Sequence, residues 1–242
     1  HLPRRLEGTG AIQSTEPVCP RLAETGGRIP GEPVTPARLV EAARASGAAS
    51  LAYTYTEPTI FYELAHDTAV LARQAGLDNL FVTNGFIGEA AQRDLGTVLD
   101  AASVDLKFFR EQSYRRISRA RLQPILDAIR RYREMGVWLE VTTLVIPEVN
   151  DSDEELGGIA AFLAGLDPAI PWHISRFYPA WRMADHPVTP QATLERAAEI
   201  GREAGLRYIY AGNVPGIAGE DTHCHQCGVK LIDRHGFYVR WN

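Results

Sequence analysis

Cysteine is scarce, neither sign of charge dominates, and no uncharged apolar run is long enough to cross a bilayer. Three cysteines among 242 residues do not make a disulfide framework, which excludes a small stapled secreted domain. Twenty-five Lys and Arg stand against 30 Asp and Glu, a net charge of -5, so no basic surplus points to nucleic acid. A membrane helix needs about 20 consecutive apolar residues, and the sequence contains no such run. No repeat of solenoid length is present. The first residues resemble neither a signal peptide nor a transit sequence and His1 is not methionine, so the expectation is a fragment of a larger cytoplasmic protein. The length suits one large domain or two small ones.

What is present is alternation. Residues 1 to 34 hold scattered Gly and Pro without sustained periodicity and read as a long loop. Thr35-Pro36 then starts a helix that runs to Gly47. Strand and helix follow in turn: a strand at 50 to 55, a helix from Pro58 to Ala75, and a strand from Leu80 to Thr83 closed by Asn84-Gly85. A helix through Glu89 to Leu95, a strand from Ala102 to Lys107 and an amphipathic helix from Leu122 to Met135 come next. The series ends with a strand from Val137 to Val145, a helix after Asp151-Ser152-Asp153, a strand from Trp172 to Phe177, a helix from Thr189-Pro190 to Gly205 and a strand from Tyr208 to Gly212. Such units with short links predict parallel strands covered by helices, in a whole or partial β/α barrel or an open doubly wound sheet. Lys230 to Trp241 reads as a hairpin turning at Asp233-Arg234-His235-Gly236.

The stretch from Leu51 to Thr59 organises the rest. Its apolar and aromatic residues favour a buried strand, and Pro58 bars a continuing ladder while suiting a first helical turn. Glu57 is therefore expected where a strand ends and a helix begins, the ligand-bearing edge of parallel sheets and barrels. The alternative is a solvated turn carboxylate. Other strand ends carry Thr83 and Asn84, Asp105 and Lys107, Thr142 and Thr143, and His173 with Arg176. Together they would line a polar pocket, although strand ends are also polar simply because they leave the core. Asp105 and Lys107 flank an apolar residue and so project the same way. His173 reads equally as a core histidine beside Trp172, and Arg176 shares a ligand with it only if the strand bends. Asp151, Asp153, Glu154 and Glu155 suit a solvated helix start better than a cation site. Cys224 and Cys227, spaced C-x-x-C before Gly228, match half of a zinc ribbon. Cys19, between prolines, reads as an incidental thiol.

These motifs in this order resemble the radical S-adenosylmethionine (SAM) enzymes: Thr56-Glu57-Pro58, Thr83-Asn84-Gly85, Asp105-Leu106-Lys107, Thr142 to Pro147 with Asn150-Asp151, and Trp172 to Phe177. The sequence is similar, more closely, to the branch related to pyruvate formate-lyase activating enzyme, and within it to the AmmeMemoRadiSam-system radical SAM proteins. The likeness runs from Pro33 to Trp241 and takes in Gly212 to Gly216 and the Cys224 pair. It implies an α/β fold, a partial (β/α)6 TIM-like barrel over 35–216, followed by a truncated zinc-ribbon-like hairpin over 217–242, with 1–34 in place of the cluster loop. It also implies a 4Fe-4S iron-sulfur cluster that reductively cleaves SAM to a 5′-deoxyadenosyl radical for hydrogen abstraction. By the same likeness Glu57 receives the methionine ammonium and Lys107 pairs its carboxylate. Asn84, Asp105, Thr143 and His173 line the rest of the SAM site, and Arg176 sits nearer the substrate. The expected partners are an electron donor such as flavodoxin or ferredoxin and an unassigned protein or small-molecule substrate.

One departure is large. In the family register the three cluster cysteines of C-x3-C-x2-C fall before His1, at Arg4 and at Glu7, and neither Arg4 nor Glu7 can take a thiolate's place. The first barrel strand is also absent from these residues. Two explanations follow: a cluster-less, SAM-binding or partner-binding pseudoenzyme, or a shifted reading frame near residues 4 to 10. The second is favoured because the resemblance is intact downstream. A zinc-dependent barrel enzyme is disfavoured, since the strand ends lack a ligand set of histidines and carboxylates.

Overall fold

A computed structural model describes residues 33–242 apart from 55, 181–182, 215–218 and 236–237. The expected loop up to residue 32, with Arg4, Glu7 and Cys19, lies outside the described residues. The helix α1 (Pro36–Ala45) starts at Thr35, whose hydroxyl accepts from Arg38 N. It leads to β1 (Ser50–Tyr53), a short 3-10 turn (Pro58–Phe61), α2 (Tyr62–Gln74), β2 (Asp78–Thr83), α3 (Glu89–Leu95) and β3 (Ala101–Asp105). After a helical turn at Glu111–Ser118 come α4 (Leu122–Glu134), β4 (Trp138–Val145), α5 (Asp153–Leu166), β5 (Trp172–Arg176), α6 (Gln191–Glu203) and β6 (Ile209–Gly212). The strands hydrogen-bond in chain order, β1 to β6, in one six-stranded sheet, with β1/β2, β4/β5 and β5/β6 parallel. A doubly wound sheet reverses its strand order at a switch point. Chain order without reversal is instead the winding of a β/α barrel or part of one.

Two compact units divide the chain, with the boundary inside β3. In the first, residues up to Ser103 with Arg131–Trp138, α1 lies on α2 through Val40, Ala43, Ala72 and Leu77. Phe81 is fully buried and its ring tilts against Tyr53 at 5.3 Å. Buried Asn79 ties strand to helix: its amide donates to the carbonyls of Ala69 and Val98 at 3.0 Å, and its oxygen accepts from Tyr53 Oη. A polar group this deep is stable because its amide hydrogens and oxygen are all partnered.

In the second unit, Val104–Arg130 with Leu139–Asn242, strand alternation sorts β4 cleanly. Leu139, Val141, Thr143 and Val145 are buried, whereas Glu140, Thr142 and Leu144 are half-buried on the other face. Trp172 and Ile174 of β5 are buried, and α6 approaches closely enough at Gly201 that a Cβ there would meet Trp172 and Ile209. The helical turn at Glu111–Ser118 departs from the expectation, which placed nothing regular between β3 and α4. Glu111 holds it by accepting from Leu122 N and Arg115 Nε.

The C-terminal residues form an antiparallel sheet of three strands, β7 (Thr222–His223), β8 (Lys230–His235) and β9 (Tyr238–Trp241). The expected hairpin is there, but Asp233, Arg234 and His235 pair within β8 rather than turning the chain. Within the sheet Lys230 Nζ bridges Asp233 and Asp221, at 2.8 and 2.5 Å. Among the described residues no helix is long and apolar enough to cross a membrane.

Candidate functional site

Glu57 stands between β1 and the 3-10 turn, as its position before Pro58 requires. Oε1 accepts from Thr59 N at 3.3 Å, Thr59 Oγ1 at 3.1 Å and Thr83 Oγ1 at 2.6 Å, and Oε2 accepts from Asn84 N at 2.7 Å. The carboxylate thus caps the turn and ties the end of β1 to the end of β2. An ionised carboxylate offers about four lone-pair sites, so the crowded oxygen is Oε1, and Oε2 retains room for one more donor. Asn84 bends the chain away, its Oδ1 accepting from Phe86 N at 2.8 Å. Two buried hydroxyls of this unit, Thr56 Oγ1 and Tyr132 Oη, have no hydrogen-bond partner among the described residues. Burial first, and then the charge of Glu57, hold the Tyr132 phenol well above its usual range, so it stays protonated.

The second unit supplies the other strand ends. Asp105 and Lys107 do project together, with Nζ donating to Oδ2 at 2.8 Å. The Lys107 backbone is fixed on both sides: Tyr114 Oη accepts from its N–H at 3.0 Å, and Asn150 Nδ2 donates to its carbonyl at 2.7 Å. Burial raises the Tyr114 pKa well above the normal phenol range, which keeps that hydroxyl neutral. Asn150 also accepts from Ile146 N and donates to Leu144 O, so one buried amide closes the loop after β4.

Thr143 differs from the expectation. It is fully buried on the face opposite Thr142, donating to Leu106 O at 2.9 Å and accepting from Trp172 Nε1 at 3.0 Å. Its hydroxyl is used inside the protein because period-two alternation turns it toward Trp172, and Thr142 is the threonine that shares a face with Glu140. His173 is half-buried, bonded through Nε2 to Glu140 Oε2 at 2.7 Å and stacked on Tyr210. Arg176 turns elsewhere: Nε donates to Thr189 O at 2.7 Å and the guanidinium lies over Tyr178 at 5.5 Å. No strand bend brings Arg176 to the partners of His173.

The acidic run after β4 is not uniformly solvated. Ser152 caps α5 by accepting from Glu155 N, and Glu155 itself is buried, accepting from Phe109 N at 2.6 Å and Arg110 N at 3.1 Å. The sequence signal for it was an acid at the third helical position after a serine cap, which marks a helix start without saying what the carboxylate meets. Glu140, Tyr210 and Tyr132 likewise escaped sequence reading, since none stands at a strand end. Cys224 and Cys227 occupy the connection from β7 to β8. Cys224 N donates to Val229 O and Gly228 N to Cys224 O, both at 2.8 Å, with Gly228 at φ 73°. Amides of Cys227 and Gln226 directed at the sulfur hold the Cys224 thiol below its usual range.

The chain is a singly wound β/α protein that carries Glu57 after β1, Lys107 after β3 and His173 within β5. Residues 17–157 match the Radical SAM superfamily, more than half of the chain, and the chain belongs to that superfamily. It is 40% identical over 213 residues to an uncharacterized protein of Methanocaldococcus jannaschii, covering 88% of this chain and 63% of that relative's length. Its fold is similar to a domain of pyruvate-formate lyase-activating enzyme from Bacteroides vulgatus, at 18% identity and TM-score 0.60 over 69% of this chain and 100% of that one. A radical SAM methyltransferase from Sphaerobacter thermophilus matches at 17% identity and TM-score 0.59, over 77% of this chain and 61% of that one. Streptococcus suis SuiB bound to S-adenosylmethionine matches at 12% and 0.61, over 77% and 45%. Superfamily membership implies SAM, a 4Fe-4S cluster and cleavage to a 5′-deoxyadenosyl radical.

The two implied groups fare differently against the residues present. SAM fits: Oε2 of Glu57 has an open acceptor position, and the neighbouring Thr56 hydroxyl is buried without a partner among the described residues. The cluster does not fit these residues. Among them no group of three or more His, Cys, Asp or Glu is placed to hold a metal, and the chain's three cysteines are Cys19, Cys224 and Cys227.

Proposed function

We propose that this chain is the SAM-binding β/α portion of a radical SAM enzyme of the branch related to pyruvate formate-lyase activating enzyme, nearest the AmmeMemoRadiSam-system proteins. The observation that carries the reading is the Glu57 carboxylate, immobilised by four donors at a strand end with one acceptor position left for an ammonium. In this reading Glu57 binds the methionine ammonium and Lys107, held by Tyr114 and Asn150, meets the methionine carboxylate. Asn84, Asp105 and His173 face the remainder of the ligand, with Arg176 toward the substrate. SAM, when bound, supplies the adenosyl group whose radical abstracts hydrogen. The chain's own residues bind and orient it and keep the polar strand ends fixed. The substrate is a protein or a small molecule, and the reductant an electron carrier such as flavodoxin or ferredoxin. Unlinked Cys224 and Cys227 suit a cytoplasmic setting, and their amide-supported turn suits half of a zinc ribbon.

Titration calorimetry with SAM tests the Glu57 assignment. Charge-assisted bonds contribute about 1.5–3 kcal/mol, so Glu57→Gln weakens binding by about ten- to a hundredfold. Unchanged affinity in a folded Glu57→Gln chain overturns it. A second reading, a SAM-binding pseudoenzyme without redox chemistry, is favoured by one specific observation, the lack of a cluster ligand set among the described residues.

A further inference from the structure

We infer that Glu140 is a positioning residue that determines which nitrogen of His173 faces a bound ligand. The inference rests on the proposed SAM site and adds to it a residue and a tautomer. Both side chains belong to the second unit and come from neighbouring parallel strands, β4 and β5, where Thr142 pairs with His173. Alternation along each strand puts Glu140 and His173 on the face opposite Thr143 and Trp172. Glu140 Oε2 and His173 Nε2 are 2.7 Å apart. A carboxylate only accepts hydrogen bonds, so Nε2 carries the proton, and a neutral ring then presents Nδ1 as an acceptor. Among the described residues Nε2 is the ring nitrogen with a hydrogen-bond partner.

The ring is held as well as polarised. Tyr210 stacks on it with centroids 5.2 Å apart and planes at 26°. Tyr210 is braced in its turn, its hydroxyl 3.0 Å from Thr222 Oγ1 and the Arg234 guanidinium 5.6 Å over its ring. One edge of the imidazole is bonded and one face covered, which among the described residues leaves the Nδ1 edge without a partner, on a side chain one-third exposed (33%). A fixed acceptor of this kind selects a ligand hydroxyl or N–H, as the ribose and adenine of SAM offer, and rejects a ligand acceptor at the same place.

Imidazole 1H–15N spectra of the chain labelled with 15N-histidine test this, with His173 assigned from the signal lost in His173→Asn. The expected result is that the neutral ring is the Nε2–H tautomer. Glu140→Met, which removes the acceptor at similar length, is expected to give a mixture of tautomers and to weaken S-adenosylhomocysteine binding about tenfold. Glu140→Gln, whose amide oxygen still accepts from Nε2–H, is expected to restore both to within about threefold of wild type. A neutral His173 protonated on Nδ1 in the unaltered chain overturns the inference, and this measurement requires no variant of Glu140 to fold. A Glu140→Met chain with wild-type tautomer and affinity also overturns it. Absence of any S-adenosylhomocysteine binding by the unaltered chain would count against the SAM-site reading instead, while the tautomer spectra still decide the role of Glu140.

Discussion

In the proposed reading Glu57 does two things with one carboxylate. Capping of Thr59 N and the bonds from Thr83 and Asn84 make it a joint between two strands, and the same bonds fix where its last lone pair points. A ligand-binding acid that is also a structural joint is pre-organised, because the entropy of ordering its side chain is spent in folding rather than in binding. Thr143 shows the converse, a hydroxyl on a strand end that is wholly consumed by Leu106 and Trp172. Thr143→Val removes both bonds and leaves the indole N–H buried without an acceptor, so it is expected to cost about 1–3 kcal/mol in chemical denaturation. The same variant is expected to leave SAM affinity within about twofold, since no lone pair facing a ligand is lost. A loss of SAM affinity well beyond that, at unchanged stability, would return Thr143 to the ligand.

The neighbouring glycines of α5 separate propensity from packing. Both sit inside Asp153–Leu166, where glycine costs about 1 kcal/mol relative to alanine. A Cβ on Gly157 would meet only Ile200 Cγ2 at 3.9 Å, ordinary contact, whereas one on Gly158 would collide with the Phe109 ring. Gly157→Ala is therefore expected to stabilise by about 1 kcal/mol. Gly158→Ala is expected to destabilise by about 1–2 kcal/mol, overpacking outweighing the gain in propensity. Denaturation of the two variants side by side checks the sign. The Phe109 position matters beyond packing, because Phe109 N and Arg110 N are the donors to buried Glu155, in the stretch that follows Lys107.

At the scale of the whole molecule, the chain belongs to the Radical SAM superfamily while its three cysteines, Cys19, Cys224 and Cys227, lack the C-x3-C-x2-C spacing. Anaerobic iron–sulfur reconstitution of these 242 residues is expected to develop no 4Fe-4S absorbance, because Cys19, Cys224 and Cys227 are three thiolates without the spacing that gathers them on one cluster. A cluster formed on the unmodified chain would overturn that. The match spans 63% of the length of the relative from Methanocaldococcus jannaschii, so reconstitution of that relative beside this chain is the comparison that separates the two readings.

The sequence by itself determined the order and kind of the elements, since apolar period, proline and glycine stops and hydroxyl caps act over a few residues. Thr35-Pro36, Pro58 and Gly76 mark real boundaries, and β1 to β6 appear where alternation put them. Strand parity predicted that Asp105 and Lys107 project together; β3 ends at Asp105, and the two side chains meet through the Nζ–Oδ2 bond beyond it. Tertiary structure decided what each polar group meets. It turned Thr143 inward, set Arg176 on Thr189, buried Glu155 under Phe109, drew Asp233 into β8 and gave His173 a carboxylate partner from 33 residues away. Those outcomes depend on which strand lies beside which and on the balance between burial and hydrogen bonding across that contact, and neither is written in the local pattern of residues.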